Sequence, residues 1–256
     1  MKKKNKIIIL GAGPAGLISG WFLSKKNYNV EIYEMKKSSG GMCRSWKWNG
    51  HIIDTGPHIF HSDDSNLIKF WKKNFSNILE EGKYFAKNII GLNLKNSYQY
   101  PISKQSISRY PKEIKEKILY ELRSKKRNFT AKNFKEFVEG QVGKTLTKMF
   151  FEGYPEKVWG LKTRELTADW APKRITITDK TEPFFQKQFT AVSKFGTGNF
   201  YKKIEKEILK KKVKIFFNSK VTKLKTKNNS IKEILINFKK KVKINTHDTI
   251  ISTLPI

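Results

Sequence analysis

The chain has 256 residues, 38% hydrophobic and 13% aromatic, which is enough apolar material for one large core or two smaller ones and too much for a disordered tail. Its formal charge of +31 raises the question of nucleic acid, but only six of its 53 basic residues are arginine, and the lysines are scattered through nearly every segment. Base readout leans on the arginine fork, and no zinc-finger, basic-zipper or stacking-sheet motif is present, so no nucleic-acid partner is expected. Cys43 is the sole cysteine, which excludes an internal disulfide or cysteine metal site and suits a cytoplasmic location. His51, His58, His61 and His247 form no zinc-protease pattern, so no metal is expected.

In chain order, the first element is the run "IIILGAGPAGLISGWFL", residues 7 to 23. A basic start before an apolar stretch resembles an export signal. Gly11, Gly13, Pro14 and Gly16 interrupt it, however, and charge returns at Lys25 before a spanning length of about 20 apolar residues, so no membrane span is expected. Ile7 to Leu10 suits a strand buried on both faces of a parallel sheet. Gly11 then permits a tight turn, Gly13 lets a phosphate approach the backbone, and Gly16 lets the next helix pack close to the strand. Pro14 and Ala15 open that helix, predicted to run to about Lys26, whose amino end would face a pyrophosphate. A second strand, "NVEIYE", ends at Glu34, near the spacing of about 20 residues at which an acid meets an adenosine ribose hydroxyl. Strand, turn, helix, strand and acid in this order read as a Rossmann-like dinucleotide-binding unit.

After Glu34 the sequence departs from the usual nicotinamide pattern. Gly40-Gly41 marks a tight turn able to pass close to a bound cofactor, with Arg44 as a charge partner. Asn49-Gly50 between β-rich flanks predicts a hairpin. Ser62, Asp63 and Asp64 read as a cap before the helix "SNLIKFWKK", Pro111 opens a helix through Leu122, and Phe134, Phe137 and Val138 give another helical apolar face. Phe150, Phe151 and Tyr154 are expected to fill a core. Asn199 to Lys211 has helical spacing, and "VKIFF" and "VTKL" are short β-rich runs.

"GAGPAG", Glu34, "GGMCRS" and "DTGPHIFH" together resemble the flavoproteins that include amine oxidases, protoporphyrinogen oxidase and UDP-galactopyranose mutase. The resemblance implies an α/β fold in which a Rossmann-like FAD-binding domain carries an inserted, mainly helical substrate domain. It places residues 1–60 and 191–256 in the FAD-binding part and 61–190 in the insertion. It implies FAD as cofactor, held by Gly11, Gly13, Pro14, Ala15, Gly16, Glu34, Gly40, Gly41, Met42 and Arg44, with Val221 at the adenine. Gly56, Pro57, His58 and Ile59 would lie against the flavin ring, which makes His58 the catalytic candidate. His61 matches the second histidine near the flavin.

"FFEGYPEKVWGLKTRELTADWAPKRI" resembles eukaryotic-type UDP-galactopyranose mutases in the spacing of Trp159, Trp170 and Arg174. The resemblance makes these the substrate-binding residues, with Arg174 meeting the diphosphate of a nucleotide sugar, a task the guanidinium fork suits. It implies rearrangement of the sugar ring at the anomeric carbon through reduced flavin, with no net redox change. Hydride transfer to flavin, as in the amine oxidases and protoporphyrinogen oxidase, is the alternative, and an inactive FAD-binding remnant is a third reading. In the resembled proteins a further cofactor strand and substrate contacts follow the position of "STLPI", so the chain is expected to be C-terminally incomplete and weak in turnover alone.

Overall fold

The computed structural model describes all residues except 1–4, 57, 91–95, 125–129, 171–174, 212 and 256. From the amino end, β1 (Lys6–Leu10), α1 (Pro14–Lys25) and β2 (Asn29–Tyr33) follow the predicted order. A 3-10 turn at Gly41–Cys43 leads to the hairpin β3 (Ser45–Trp48) and β4 (His51–Asp54), then β5 (Phe60–Ser62), α2 (Ser65–Phe75) and β6 (Leu79–Glu81). Next come β7 (Ala86–Ile89), β8 (Ser97–Tyr100), α3 (Lys104–Ile107), α4 (Lys112–Arg123), α5 (Phe134–Val142), α6 (Lys144–Thr147) and α7 (Gly153–Trp159). The chain returns through β9 (Phe189–Ser193), α8 (Gly198–Lys210), β10 (Lys214–Phe216), β11 (Val221–Lys227), β12 (Ser230–Ile236), β13 (Lys240–Lys243) and β14 (Thr249–Ser252).

Two compact units result, Met1–Gly82 with Phe189–Ile256 and Lys83–Gln188. The first is built on a parallel sheet ordered β10-β2-β1-β14. Alternation along β1 explains its wholly apolar sequence. Ile7 and Ile9 pack with Leu17 and Trp21 of α1 and with Phe200, Ile204 and Ile208 of α8. Ile8 and Leu10 point the other way, onto Ile234, Ile236 and Val242 of the antiparallel meander β11-β12-β13. Asn49 and Gly50 both take positive φ, 45° and 79°, and close the expected hairpin with Trp48 opposite His51.

The second unit gathers α3 to α7 and the β7-β8 hairpin around Ile118, Phe134, Val138, Leu146, Phe150 and Phe151. Asn133 caps α5 by accepting from the Glu136 amide. Tyr154 corrects the expectation of a core residue, being 73% exposed, because α7 turns only Pro155 fully inward.

The expected boundary at residue 60 also needs correction, since the first unit runs on to Gly82. Asp64 does cap α2, accepting from the amides of Asn66 and Leu67, but that helix packs on the nucleotide-type core. Phe75, Ile78 and Leu79 are buried there, and β5 and β6 both pair with β9. Phe75 is 1% exposed, with Trp71 and Phe200 rings 4.8 and 5.2 Å away. Phe75→Ala is therefore expected to lower unfolding free energy by about 3–5 kcal/mol in urea denaturation, and a loss below about 1 kcal/mol would show that this aromatic cluster is dispensable.

Candidate functional site

The glycine turn between β1 and α1 works by close backbone approach. Gly11 has φ +100°, and its amide donates to the Tyr33 carbonyl at 2.8 Å. A Cβ on Gly16 would lie 2.0 Å from the Gly11 carbonyl oxygen, so only glycine lets α1 lie this close to β1. Gly13 differs, because a Cβ there would meet nothing nearer than the Gly41 Cα at 3.9 Å. No internal neighbour demands glycine at this position, which leaves room for an outside group. No side chain caps α1 and no acidic residue stands in its first turn, so behind Pro14, which has no N–H to give, the amides of Ala15 and Gly16 and the positive dipole end keep their capacity for an anion.

The second glycine pair lies against the first. The Gly40 amide donates to the Ala12 carbonyl at 2.8 Å, and a Cβ on Gly41 would stand 3.0 Å from the Gly13 Cα. Gly40 and Gly41 take φ of +101° and +54°. Half-buried Arg44 follows and forms no salt bridge among the described residues, and Met42 is exposed. Glu34 is buried, and its carboxylate accepts the amide protons of Ala12 and Lys36, each at 2.8 Å. The acid thus braces the glycine turn itself, a role the sequence reading did not assign, while each oxygen keeps a second acceptor position.

The "DTGPHIFH" segment is anchored by groups that went unassigned in the sequence reading. Asp54 accepts from the Thr197 amide and, at 2.8 Å, from the Thr197 hydroxyl, and the Ser45 hydroxyl also donates to it. The Gly198 amide donates to Ser45 Oγ at 2.7 Å. The carboxylate therefore fastens β4 to the amino end of α8, and Thr197 Oγ1 also lies 3.3 Å from the His58 carbonyl. Farther along α8, Glu205 accepts from Ser39, and Tyr201 hydrogen-bonds Cys43. The available signal was an acid directly before a Thr-Gly-Pro turn, and a Gly-Thr-Gly run opening the helix.

His58 Nε2 lies 2.9 Å from the Met42 carbonyl oxygen. A carbonyl can only accept, so Nε2 carries a proton and donates here, which leaves Nδ1 outside this bond. This bond joins the His58 segment to the Gly41–Cys43 turn. Gly56 and Ile59 flank His58 at intermediate exposure, while Pro57 lies outside the described residues. His61 stands on β5, opposite Thr190. Val221 begins β11, just after Ser219, whose amide donates to the Glu34 carbonyl at 2.8 Å.

In the second unit Trp159 is about half exposed at the end of α7, and the backbone of Trp170 closes a 3-10 turn. Arg174 lies outside the described residues. This unit also holds a cleft of about 260 Å³ between Tyr100, Phe184 and Phe185, with Gln186 and Gln188 on its wall.

Residues 9–73 match the family model of the NAD(P)-binding Rossmann-like domain. Over 201 residues the chain is 28% identical to the dTDP-fucopyranose mutase of Escherichia coli, an alignment that covers 75% of this chain and 52% of that protein. It is 26% identical to a probable UDP-galactopyranose mutase of Klebsiella pneumoniae, covering 77% and 51%. These matches show a Rossmann-like domain at the amino end and a likeness to pyranose mutases over three quarters of the chain. The residues matched by the family model include the glycine turn, α1 and β2. A solved structure of reduced UDP-galactopyranose mutase superposes with a TM-score of 0.77 at 24% identity, covering 98% of this chain and 56% of that one, a likeness of fold. The chain spans about half the length of the curated relatives it matches.

Replacing Asp54 by Ala leaves the Thr197 amide, the Thr197 hydroxyl and the Ser45 hydroxyl without their acceptor. A loss of about 2–3 kcal/mol in urea denaturation is expected, and an unchanged midpoint would show that the α8 anchor lies elsewhere. Burial, together with the nearby Asp54 carboxylate, pushes the Cys43 thiol up despite the hydrogen bond with Tyr201. The thiol consequently stays protonated at neutral pH. Disulfide-exchange labelling of Cys43 should be slower than that of an exposed cysteine and should accelerate only above the usual cysteine range, whereas fast labelling at neutral pH would contradict this.

Proposed function

We propose that this chain binds FAD and acts on a nucleotide sugar in the manner of a pyranose mutase. The observation that carries the proposal is the contact of two glycine loops, Gly40-Gly41 on Gly13-Pro14, beside an uncapped helix amino end with space over Gly13. A diphosphate fits such a cradle, because it needs backbone amides at close range and no side chain in the way. Glu34 would accept a ribose hydroxyl with the acceptor positions left after bracing the turn, and Arg44 would offset phosphate charge. Val221, at the start of β11, would contribute its backbone to the adenine.

When bound in reduced form, a flavin supplies the nucleophile that lets a nucleotide sugar exchange ring sizes without net redox change. The chain's own part is positional. Gly56, Pro57, His58 and Ile59 would border the ring, with His58 holding a hydrogen bond at Nδ1 while Nε2 stays tied to Met42. Trp159, Trp170 and Arg174 would serve the substrate, Arg174 at its diphosphate. The aromatic faces and amides of the second unit's cleft suit the same class of ligand. The two relatives aligned over about three quarters of the chain bear mutase names, whereas oxidase and desaturase relatives align over shorter stretches, which favours this reading over hydride transfer from an amine or porphyrinogen.

The purified protein is expected to take up FAD, with flavin absorbance and quenched flavin fluorescence. Gly13→Val should abolish uptake by filling the phosphate's place. Arg174→Ala should keep FAD and weaken nucleotide-sugar binding by about ten-fold or more, the scale of a charge-assisted bidentate contact. Protein that refuses FAD in its folded state would overturn the cofactor assignment. Steady oxygen uptake with an amine or porphyrinogen would overturn the mutase reading and leave the flavin assignment standing.

A further inference from the structure

The meander β11-β12-β13 has two unlike faces. Ile234, Ile236 and Val242 pack inward, whereas the register sets Lys223 and Lys241 on either side of Leu235, and Lys225 and Lys243 on either side of Glu233, on the outer face. All four of these lysines are exposed. Between residues 220 and 243 the sequence has nine lysines and one acid, a much denser positive charge than the chain's overall +31 in 256 residues.

The turn joining β12 to β13 adds a second, independent observation. Phe238 is 75% exposed and sits at φ +59°, in the left-handed region that bulky side chains rarely adopt. Packing does not explain an aromatic there, and asparagine or glycine would fit the backbone better. The turn is nonetheless held firmly. The Asn237 side chain accepts from the Lys220 amide at 2.9 Å and donates to the Asn218 carbonyl at 2.7 Å, while the Phe238 amide donates to Thr222 Oγ1 at 3.2 Å. A rigid tip thus presents one aromatic ring beside Lys239 and Lys241.

We propose that this face is a peripheral docking surface for an anionic lipid bilayer, with the outer lysines on the headgroups and Phe238 seated at the boundary with the acyl chains. Charge complementarity and an apolar tip collared by lysines are the two components of interfacial membrane binding. A single-stranded nucleic acid is less well served, because its binders place successive aromatics along a groove and lean on arginine, and this segment has neither. The proposal does not depend on the flavin assignment.

The test is co-sedimentation of the full chain with phosphatidylcholine vesicles, with and without about 30 mol% phosphatidylglycerol. Binding to the anionic vesicles alone is expected, with loss in about 0.5 M salt. Phe238→Asn suits the left-handed backbone and so preserves the fold. It should weaken partitioning about ten-fold or more, as should the Lys239→Glu, Lys241→Glu double variant, whereas Tyr120→Gln, at another exposed aromatic, should have no effect. Absence of partitioning, equal partitioning to neutral vesicles, or an unchanged Phe238→Asn variant would overturn the proposal. So would a loss on Phe238→Asn confined to binding of a single-stranded oligonucleotide.

Discussion

The first unit depends on how closely backbone can approach backbone at the end of β1. With 2.0 Å between a hypothetical Gly16 Cβ and the Gly11 oxygen, any side chain there would force α1 off the sheet. Gly41 against Gly13 extends the same constraint to a second loop. The buried Glu34 carboxylate then holds the turn through the Ala12 amide, so charge and steric closeness act on the same few residues. This bracing holds the two glycine loops in place through contacts within the chain itself.

Helix α8 is the second organising element. It comes from the far end of the first unit's sequence, yet Thr197, Tyr201 and Glu205 reach Asp54, Cys43 and Ser39 respectively. Its inner face is buried in the core with α1. One helix therefore supports the sheet on one side and aligns the hairpin, the His58 segment and the second glycine loop on another. The three polar contacts are spread along one helix, and this gives them a common frame.

Much of the fold could be read from residue pattern. The turn residues Asn49-Gly50, the cap Asp64 and the apolar run Ile7 to Leu10 are local signals, set by backbone sterics and hydrogen bonding within a few positions. The domain boundary was less legible, since α2 looks the same in sequence whichever core Phe75 enters. Tyr154 misled for a related reason, because an aromatic beside Phe150 and Phe151 carries no mark of the side from which its helix faces the core.

The sequence by itself determined the order of elements, the glycine positions and the acid at the end of β2, because each follows from local conformational limits. It also carried the likeness on which the flavin and sugar assignments rest. Only the tertiary structure decided that Glu34 braces its own turn, that Asp54 fastens the hairpin to α8, and that Phe238 stands exposed on a lysine-lined sheet. Those facts depend on contacts between segments up to 143 positions apart, and side-chain pairing at that range is fixed by packing, which residue order does not display.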